Sequence, residues 1–402
     1  MNLYNKENTV CKVSLILPSL NVANYMEECL QSVISQTLKD IEFICVDAGS
    51  TDGTLEIIQQ YALRDARIKL IQSEKKSYGY QMNLGLHAAC GEYIGIVETD
   101  DYVPKRMYEE LYEMAVREKA EIVKADFYRF RTVENRIERE YNRLDPSDEY
   151  YGRIINPAEH PQVFRFIMNT WSGIYQRSFL EKNGICHNET PGASYQDNGF
   201  WFKTFCCAKR IYFSDRPYYM NRCDNEASSV ANPGKVYCMT EEWGHIYQWL
   251  KEDAERFQTF IGGYTLRKYH SLLFTYQRIA PEYREEFIQH MSDEMGKLIH
   301  AGEYDKKAFT AYEWRRLSLI IRDPLGYHRI CTTRCSHLFV ANLLARISKR
   351  KRASALIRKA DRLLNKAEIM LAWIQYEGFA NAMRRIKWKN TKDWVNREES
   401  YG

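Results

Sequence analysis

Three carboxylates lie within four positions of the sequence, in the stretch GIVETDDYVP, residues 95–104. Glu98, Asp100 and Asp101 follow residues 93–97, an apolar run that is typical of a buried strand. Like charges this close repel each other and resist burial. A hard divalent cation would stabilise them, and Mg²⁺ or Mn²⁺ usually takes one or two carboxylates and fills its shell with phosphate oxygens and water. An acidic first turn of the following helix explains the same charges equally well.

Strand and helix patterns alternate through the first third of the chain. Apolar runs predict strands at residues 13–17, 41–46, 68–71 and 93–97, and apolar residues at helical spacing predict helices at about 24–36, 55–63 and 84–89. This alternation favours βαβ units and an α/β fold with a mostly parallel sheet. In such a sheet, ligands bind beyond the carboxyl ends of the strands.

Two more polar clusters follow predicted strands, so we expect them to share one crevice with residues 98–101. They are residues 18–21, Pro-Ser-Leu-Asn, and residues 47–53, Asp-Ala-Gly-Ser-Thr-Asp-Gly. Turn chemistry and capping of the next helix explain Ser50 and Asp52. They leave Asp47, at the end of the strand, as a candidate ligand-binding carboxylate.

The order of these pieces resembles the family-2 glycosyltransferases, which have the GT-A fold. The matching segments are VSLILPSLNVANYMEECLQSVISQT, IEFICVDAGSTDGTLEII and MNLGLHAACGEYIGIVETDDYVP. They span roughly 120 residues in the family's order, and a weaker likeness continues to about residue 220. The resemblance implies an inverting, metal-dependent transfer of a sugar from a nucleotide-diphosphate donor, expected to be a UDP-sugar.

The resemblance also assigns roles to individual residues. Asp47 matches the family's contact to the base or ribose, and Glu98-Thr99-Asp100 matches its Asp-x-Asp motif. Mn²⁺ or Mg²⁺ would then bind Asp100, with Asp101 as a helper. The predicted nucleotide-sugar site comprises Pro18, Leu20, Asn21, Asp47, Gly49, Ser50, Met82, Asn83, Glu98, Thr99 and Asp100. The chain departs from the family's pattern at Leu20, Ala48, Met82 and Glu98, and these positions bear on the base and on the donor sugar.

Inverting transfer also needs a base that takes the proton of the acceptor hydroxyl. The segment SYQDNGFWFKTF, residues 194–205, resembles the family's segment for this role and places Asp197 at the position of the base. A helix N-cap explains the same carboxylate, and both roles are compatible. Further acceptor-site candidates are Trp171, His187, Gln196 and Trp201, although core packing explains the tryptophans and an ordinary loop explains the histidine.

Composition and patterning divide the 402 residues into three predicted regions. Residues 1–230 form the GT-A domain, with its nucleotide-sugar half at about 10–130 and its acceptor half at about 150–230. Residues 231–330 form a helical region. Residues 331–402 form a basic amphipathic tail, with about 16 Lys or Arg against about 6 Asp or Glu. A polar stretch from about 134 to 151 reads as a surface loop.

The tail and the cysteines bear on where the protein acts. Basic amphipathic helices that contain Trp often lie on anionic membranes, and a solvated helix face explains the tail about as well. No motif supports nucleic-acid binding. The 11 cysteines contain no C-x-x-C pair, and the chain shows neither a secretory signal nor an apolar run of membrane-spanning length. We therefore expect structural thiols and a cytoplasmic protein, peripheral on the inner face of the cell membrane.

Two other classes remain to be distinguished from a glycosyltransferase. One is a catalytically silent GT-A-fold protein that binds a glycan or a membrane, and the presence of Asp47, Asp100 and Asp197 together disfavours it. The other is a nucleotidyltransferase, which needs a Gly-rich, basic phosphate loop near the N-terminus, and residues 18–25 offer none. The expected acceptor is the hydroxyl of a glycan or of a lipid-linked glycan.

Overall fold

A computed structural model describes residues 11–134, 136–225, 235–329 and 331–332. Its first half is a run of parallel βα units. The strands are β1 (Val13–Ser19), β2 (Ile41–Asp47), β3 (Ile68–Gln72) and β4 (Tyr93–Ile96). The helices between and after them are α1 (Ala23–Ile34), α2 (Thr54–Ala62), α3 (Tyr78–Ala88) and α4 (Met107–Glu118). Every residue of β1 and β2 is buried, as expected for parallel strands covered on both faces.

The second half extends the same sheet with mixed directions. It adds β5 (Ile122–Val133), β6 (Arg136–Asn142), β7 (Ile154–Ile155), β8 (Gly173–Gln176) and β9 (Ile211–Arg222). The strand order is β3-β2-β1-β4-β8-β5-β9-β7, with β6 paired to β5. Because β8 is antiparallel to both β4 and β5, and β9 is parallel to β5, the strands β1, β2, β4 and β9 end at one edge of the sheet.

The remaining α-helices of the described part of the chain lie between β8 and β9 or after β9. They are α5 (Arg177–Lys182), α6 (Gln196–Cys207), α7 (Cys238–Lys251), α8 (Ala254–Arg278), α9 (Arg284–His300) and α10 (Ala311–Arg322). Trp243 of α7 packs edge-on against Phe202 of α6 and against Tyr264 of α8, so the helical region shares its apolar core with α6. The aromatic rings therefore join the helices to the element that carries Asp197.

The chain divides into two compact units, residues 1–308 and 309–402. In the second unit, a capping box fixes the start of α10: Thr310 accepts from the main chain of Glu313, and Glu313 accepts from that of Thr310. The boundary predicted near residue 230 stays a prediction. The predicted tail lies outside the described residues, apart from residues 331–332.

The α/β fold with a mostly parallel first half and a helical second half is confirmed, but one predicted loop is wrong. Residues 136–142 form β6, which pairs antiparallel with β5 over the hairpin at residue 134. The side chains of Arg136 to Glu140 are all exposed, so no apolar alternation marks this strand in the sequence. None of the helices in the described part of the chain is both long enough and apolar enough to cross a membrane.

Candidate active site

The carboxylate of Asp47 is held by the turn that follows β2. Its Oδ2 accepts the main-chain N–H groups of Gly49 and Ser50 at 2.9 and 3.0 Å, and its Oδ1 accepts the Ser50 hydroxyl at 2.5 Å. Gly49 has φ +79°, a conformation that favours glycine. Turn chemistry therefore involves Asp47 itself, which the sequence had not shown. Its predicted contact to the nucleotide stays a prediction.

Polar contacts fasten the loop after β1 to the loop after β2. Asn21 donates its main-chain N–H to the Ser50 hydroxyl at 3.0 Å and accepts the N–H of Thr51 at 2.9 Å. The buried Gln81 of α3 donates to the main-chain oxygens of Ser19 in β1 and Val46 in β2 at 2.9 and 2.7 Å. These contacts hold the ends of β1 and β2 and the loops after them together. Sequence reasoning missed Gln81, which carries no signal beyond its place in a helix.

Glu98 lies directly after β4, where two tyrosines position it. Tyr78 donates its hydroxyl to Glu98 Oε1 at 2.7 Å, and the Tyr219 hydroxyl accepts the Glu98 N–H at 3.0 Å. Burial, together with the charges of Asp100 and Asp197, raises the pKa of Glu98 to about 8. The structure thus brings the carboxylates of two predicted site segments within electrostatic reach of each other.

The two aspartates of the cluster have different surroundings. Asp100 is partly exposed, and its Oδ2 accepts from Asn225 at 2.8 Å. Asp101 is 1% exposed and turns toward the end of β9, where Asn221 and the main chain of Arg222 donate to it at 3.1 and 2.6 Å. Its burial raises its pKa well above the usual range. These contacts favour a structural role for Asp101, and its predicted role as a metal ligand stays untested.

Thr99, between Glu98 and Asp100, is buried and donates its hydroxyl to the main-chain oxygen of Pro18 at 2.8 Å. This bond links the loop after β4 to the end of β1, and it places the predicted residues 18–21 beside the acidic cluster. Leu20 is 38% exposed at the same edge. Pro18 is buried within β1, so it can contribute only its main chain to a ligand.

Asp197 lies in the first turn of α6, one residue inside the helix. The N-cap position belongs to Tyr195, with φ +66°, so the predicted capping role of Asp197 is wrong. Burial raises the pKa of Asp197 to about 6, while the N–H groups of Asp197 and Asn198 act against this rise. A carboxylate with a pKa near the working pH suits a general base.

Glu242 of α7 approaches the same turn, and sequence reasoning missed it. It is 1% exposed, and its Oε2 accepts from Asn188 at 2.9 Å. A Cβ on Gly199 would lie 2.1 Å from its Oε1, so only glycine allows this approach. Burial raises the pKa of Glu242 to about 7, and Asp197 adds to the rise. The available signal was its place in the buried stripe Met239, Glu242, Trp243, Ile246 and Leu250.

Glu242→Gln should make the stability of the protein less dependent on pH. Because the pKa of Glu242 is higher in the folded than in the unfolded chain, the free energy of unfolding falls as pH rises from about 4.5 to about 7. The fall is up to about 3 kcal/mol, and the variant should lack it. Urea unfolding at pH 5.5 and pH 8 measures the difference.

Glu294→Gln is the matched control. Glu294 pairs with Lys268 at 2.8 Å, and although its burial opposes this, Lys268 and Lys297 lower its pKa to about 2. Its contribution is therefore present at all pH values above about 4.5 and fades only as pH falls toward 2. The control should lose the same stability at pH 5.5 and at pH 8. An unchanged pH dependence in Glu242→Gln would contradict the assignment.

Among the acceptor-site candidates, Trp171 lies beside the acidic cluster. It is partly exposed just before β8, which runs against β4, so it lies at the edge where β4 ends. Its ring stacks on that of Tyr219 at 4.3 Å, and the Tyr219 hydroxyl contacts the main chain of Glu98. A partly exposed indole at this edge can present a face to a sugar ring.

The other three acceptor-site candidates are buried and engaged elsewhere. Trp201 is 1% exposed and packs against Phe164 and Phe205 in the core. Gln196 is 1% exposed and braces the loop before α6, through Ser194, Thr190 and Gly192. His187 is 2% exposed, and its ring stacks on Phe200 at 4.4 Å. His187 lies on a loop, as expected, but its imidazole is buried there, and this burial lowers its pKa to about 3.

Met82 and Asn83 of α3 have structural roles. Met82 is fully buried, so its side chain cannot reach a ligand in the crevice. Asn83 donates to the His187 main-chain oxygen at 3.0 Å and accepts the His187 N–H at 2.9 Å. It also donates to Glu189 at 3.1 Å. The predicted nucleotide contact of Met82 is therefore wrong, and Asn83 holds the loop that leads to α6.

The donor set of the acidic cluster fits a hard divalent cation. Asp100 and Glu98 are carboxylates, each with one oxygen that accepts a hydrogen bond from Asn225 or Tyr78. Within the described ranges, the second oxygen of each has no hydrogen-bond partner, and both residues are partly exposed. Oxygen ligands of this kind are those that Mg²⁺ and Mn²⁺ prefer. Asp101 fits less well, because both of its oxygens already accept.

The fold is that of the GT-A glycosyltransferases. The chain is similar to S. aureus TarS 1–349, solved in complex with UDP-GlcNAc, with a TM-score of 0.54 and 20% sequence identity over 70% of this chain and 80% of that one. At this identity the likeness concerns the fold alone.

Sequence comparisons give the family. The family model "Glycosyl transferase family 2" matches residues 14–182. The uncharacterized glycosyltransferase EpsJ of Bacillus subtilis is 34% identical over 240 residues, 59% of this chain and 67% of EpsJ. The glycosyltransferase GlyA of Streptococcus pneumoniae is 27% identical over 64% of this chain, but the match spans only 36% of GlyA. The chain belongs to the family 2 glycosyltransferases, and the family predicted from its motifs is confirmed.

Proposed function

We propose that this glycosyltransferase moves a sugar from a nucleotide-diphosphate donor, a UDP-sugar, to a hydroxyl of a glycan or lipid-linked glycan, with inversion at the anomeric carbon. One observation carries the proposal. Asp197, at the start of α6, lies close enough to Glu98, in the acidic loop after β4, for its charge to raise the pKa of Glu98, and both residues are partly exposed. In this proposal, Asp197 is the base and the loop of Glu98 binds the diphosphate of the donor.

In the proposed reaction, Asp197 accepts the proton of the acceptor hydroxyl as the oxygen attacks the anomeric carbon. The bond from this carbon to the diphosphate breaks, and the nucleoside diphosphate leaves with the bonding electrons. Tyr78 and Tyr219 hold Glu98 in place, while Trp171 offers an aromatic face beside it. The loops after β1 and β2, tied by Asn21 and Ser50, would bind the nucleotide.

A divalent cation belongs to this proposal, with Asp100 as its main ligand and Glu98 beside it. When bound, it would neutralise the negative charge that develops on the leaving diphosphate. Asn225 positions Asp100, and Arg222 donates to the Asp100 main-chain oxygen at 2.8 Å, so the end of β9 orients the loop that would bind the ion.

A screen of donors tests the proposal. The purified chain is incubated with UDP-, GDP- and dTDP-sugars, with Mn²⁺, with Mg²⁺ or with EDTA, and binding and nucleotide release are measured. We expect one or a few UDP-sugars to bind and to release UDP only with the metal. If none of the nucleotide sugars binds or turns over, the chain is a silent GT-A-fold protein.

The basic tail would bring the enzyme to a lipid-linked acceptor. At about 1 kcal/mol per Lys or Arg near an anionic membrane, four engaged residues already give a useful affinity. We expect the full-length protein to sediment with anionic vesicles at low salt and to be released near 1 M salt, where screening lengths fall to about 3 Å. Neutral vesicles are the control. Absence of sedimentation with anionic vesicles at low salt would leave the tail as a packing element.

A further inference from the structure

A second cluster of ligand-type side chains lies at the opposite edge of the sheet. Cys11 precedes β1, Glu42 is the second residue of β2, and Cys90 follows α3 just before β4. The two sulfurs and a carboxylate oxygen of Glu42 all lie within 4.8 Å of one another, with the Cys90 sulfur 3.1 Å from Glu42 Oε1. Within the described ranges, no other three His, Cys, Asp or Glu residues meet this spacing.

The contacts around the cluster fix the orientation of Glu42. Lys69 of β3 pairs with its Oε2 at 2.5 Å, and Ser14 donates to its Oε1 at 2.5 Å. The Cys90 N–H donates to the same Oε1 at 2.8 Å, and Gly91 donates to the Ser14 hydroxyl at 2.8 Å. A metal ion would take the place of the Cys90 S–H, which donates to Oε1 in the metal-free chain and is lost when the thiol becomes a thiolate. The other contacts are of the kind that orient a metal-binding carboxylate. They are present although β1, β2 and the segment before β4 come from distant parts of the chain.

We propose that Cys11, Glu42 and Cys90 form a binding site for one soft divalent cation of the zinc class. Two sulfur ligands and one carboxylate suit Zn²⁺, whereas Mg²⁺ and Mn²⁺ prefer oxygen alone. In a tetrahedral zinc site, metal–ligand distances of about 2.0–2.3 Å put neighbouring ligand atoms about 3.3–3.8 Å apart. The observed cluster therefore needs only small side-chain movements to close around the ion, with water as the fourth ligand.

The binding of Zn²⁺ at this site conserves charge and protons. Zn²⁺ binds two thiolates and one carboxylate, the two thiols release two protons to solvent, and the resulting single negative charge faces the Lys69 ammonium. Cys90 is exposed, so the ion can enter from solvent. Glu42 and Asp47 lie five residues apart along β2, so this site is roughly 16 Å from the nucleotide end of the sheet. The proposed zinc site is independent of the proposed sugar transfer. A bound ion would link the segments at the starts of β1, β2 and β4.

Cobalt provides the test, because Co²⁺ occupies zinc sites and gives a thiolate-to-metal absorption band in the near ultraviolet. The full-length chain, reduced and freed of metal, is titrated with Co²⁺. We expect the band to saturate at one ion per chain and to disappear on addition of Zn²⁺ but not of Mg²⁺ or Mn²⁺. Saturating Zn²⁺ should raise Tm by about 5 °C.

Three variants make the result specific. Cys90→Ser replaces an exposed side chain and should remove the band, and Glu42→Gln should weaken Co²⁺ binding at least tenfold. Cys186→Ser, which changes another exposed thiol, should leave both unchanged. A missing band in the reduced wild type, or a band that survives in Cys90→Ser, would overturn the proposal. Formation of a Cys11–Cys90 disulfide with a thiol oxidant, without any cobalt band, would overturn it as well and assign a redox pair.

Discussion

Asp197→Asn should lower the rate of sugar transfer by about 10²–10⁴-fold, while UDP-sugar binding should be retained. The amide has nearly the shape of the carboxylate but cannot accept the acceptor's proton. Because burial raises the pKa of Asp197 to about 6, the wild-type rate should fall as pH drops through this value, where the base becomes protonated. The residual rate of the variant should lack this acid limb. Donor binding and turnover are measured separately between pH 5 and pH 8.

Asp253→Asn is the matched control for this variant. Asp253 is also a carboxylate at a helix start, where it accepts from the main chain of Arg256 at 2.9 Å, and Asn caps a helix equally well. It should leave transfer and its pH profile unchanged. If Asp197→Asn weakens donor binding while the bound donor still turns over at the wild-type rate, Asp197 is structural and the base lies elsewhere.

The second large effect is expected at Asp100. Asp100→Asn should abolish metal-dependent UDP binding and turnover, because it removes the partly exposed carboxylate that would hold the cation. The fold should survive, since an amide oxygen can still accept from Asn225. Calorimetric titration of UDP with Mn²⁺, and with EDTA, compares the variant with the wild type. Full wild-type activity in EDTA, or unchanged Mn²⁺-dependent binding by the variant, would exclude the metal role.

Asp101→Asn separates the two neighbouring aspartates. The Asp101 carboxylate is buried and accepts from two N–H donors at the end of β9, so an amide nitrogen in its place would face a donor. Leaving buried donors unpaired costs about 1–3 kcal/mol, which urea unfolding should show. We thus expect lost binding without lost stability at Asp100, and lost stability at Asp101.

The first half of the fold could be predicted because the pattern there is local. Strands buried on both faces read as continuous apolar runs, and turn residues mark their ends, so the bounds of β1 and β2 match the sequence closely. The strand β6 could not be predicted, since its side chains face solvent on both sides of the hairpin. The periodicity of apolar residues in a sequence reflects which side chains are buried, and few side chains of β6 are buried.

Some residues of the candidate site could likewise be predicted from the sequence, and others could not. Asp47, Glu98 and Asp100 were found because they end predicted strands, and the topology of a parallel sheet brings such ends together. The burial of Trp201 and the contact of Glu242 with Gly199 depend on how α6 and α7 pack, and no local pattern encodes that packing. Asp197 itself was reached by resemblance, and only the structure shows that Tyr195, not Asp197, caps α6.

The long sequence separation between Asp101 and its hydrogen-bond partners in β9 has a consequence for folding during synthesis. Arg222 and Asn221, at the end of β9, brace Asp101, yet roughly 120 residues of chain separate them from it. A ribosome releases the chain from its N-terminus, so the first four strands emerge well before the strand that braces their acidic loop. Contacts of such long sequence separation form slowly. The first half of the nascent chain should therefore have unbraced carboxylates, and an excised fragment ending before β9 should lack the metal and nucleotide binding that we propose for the whole enzyme.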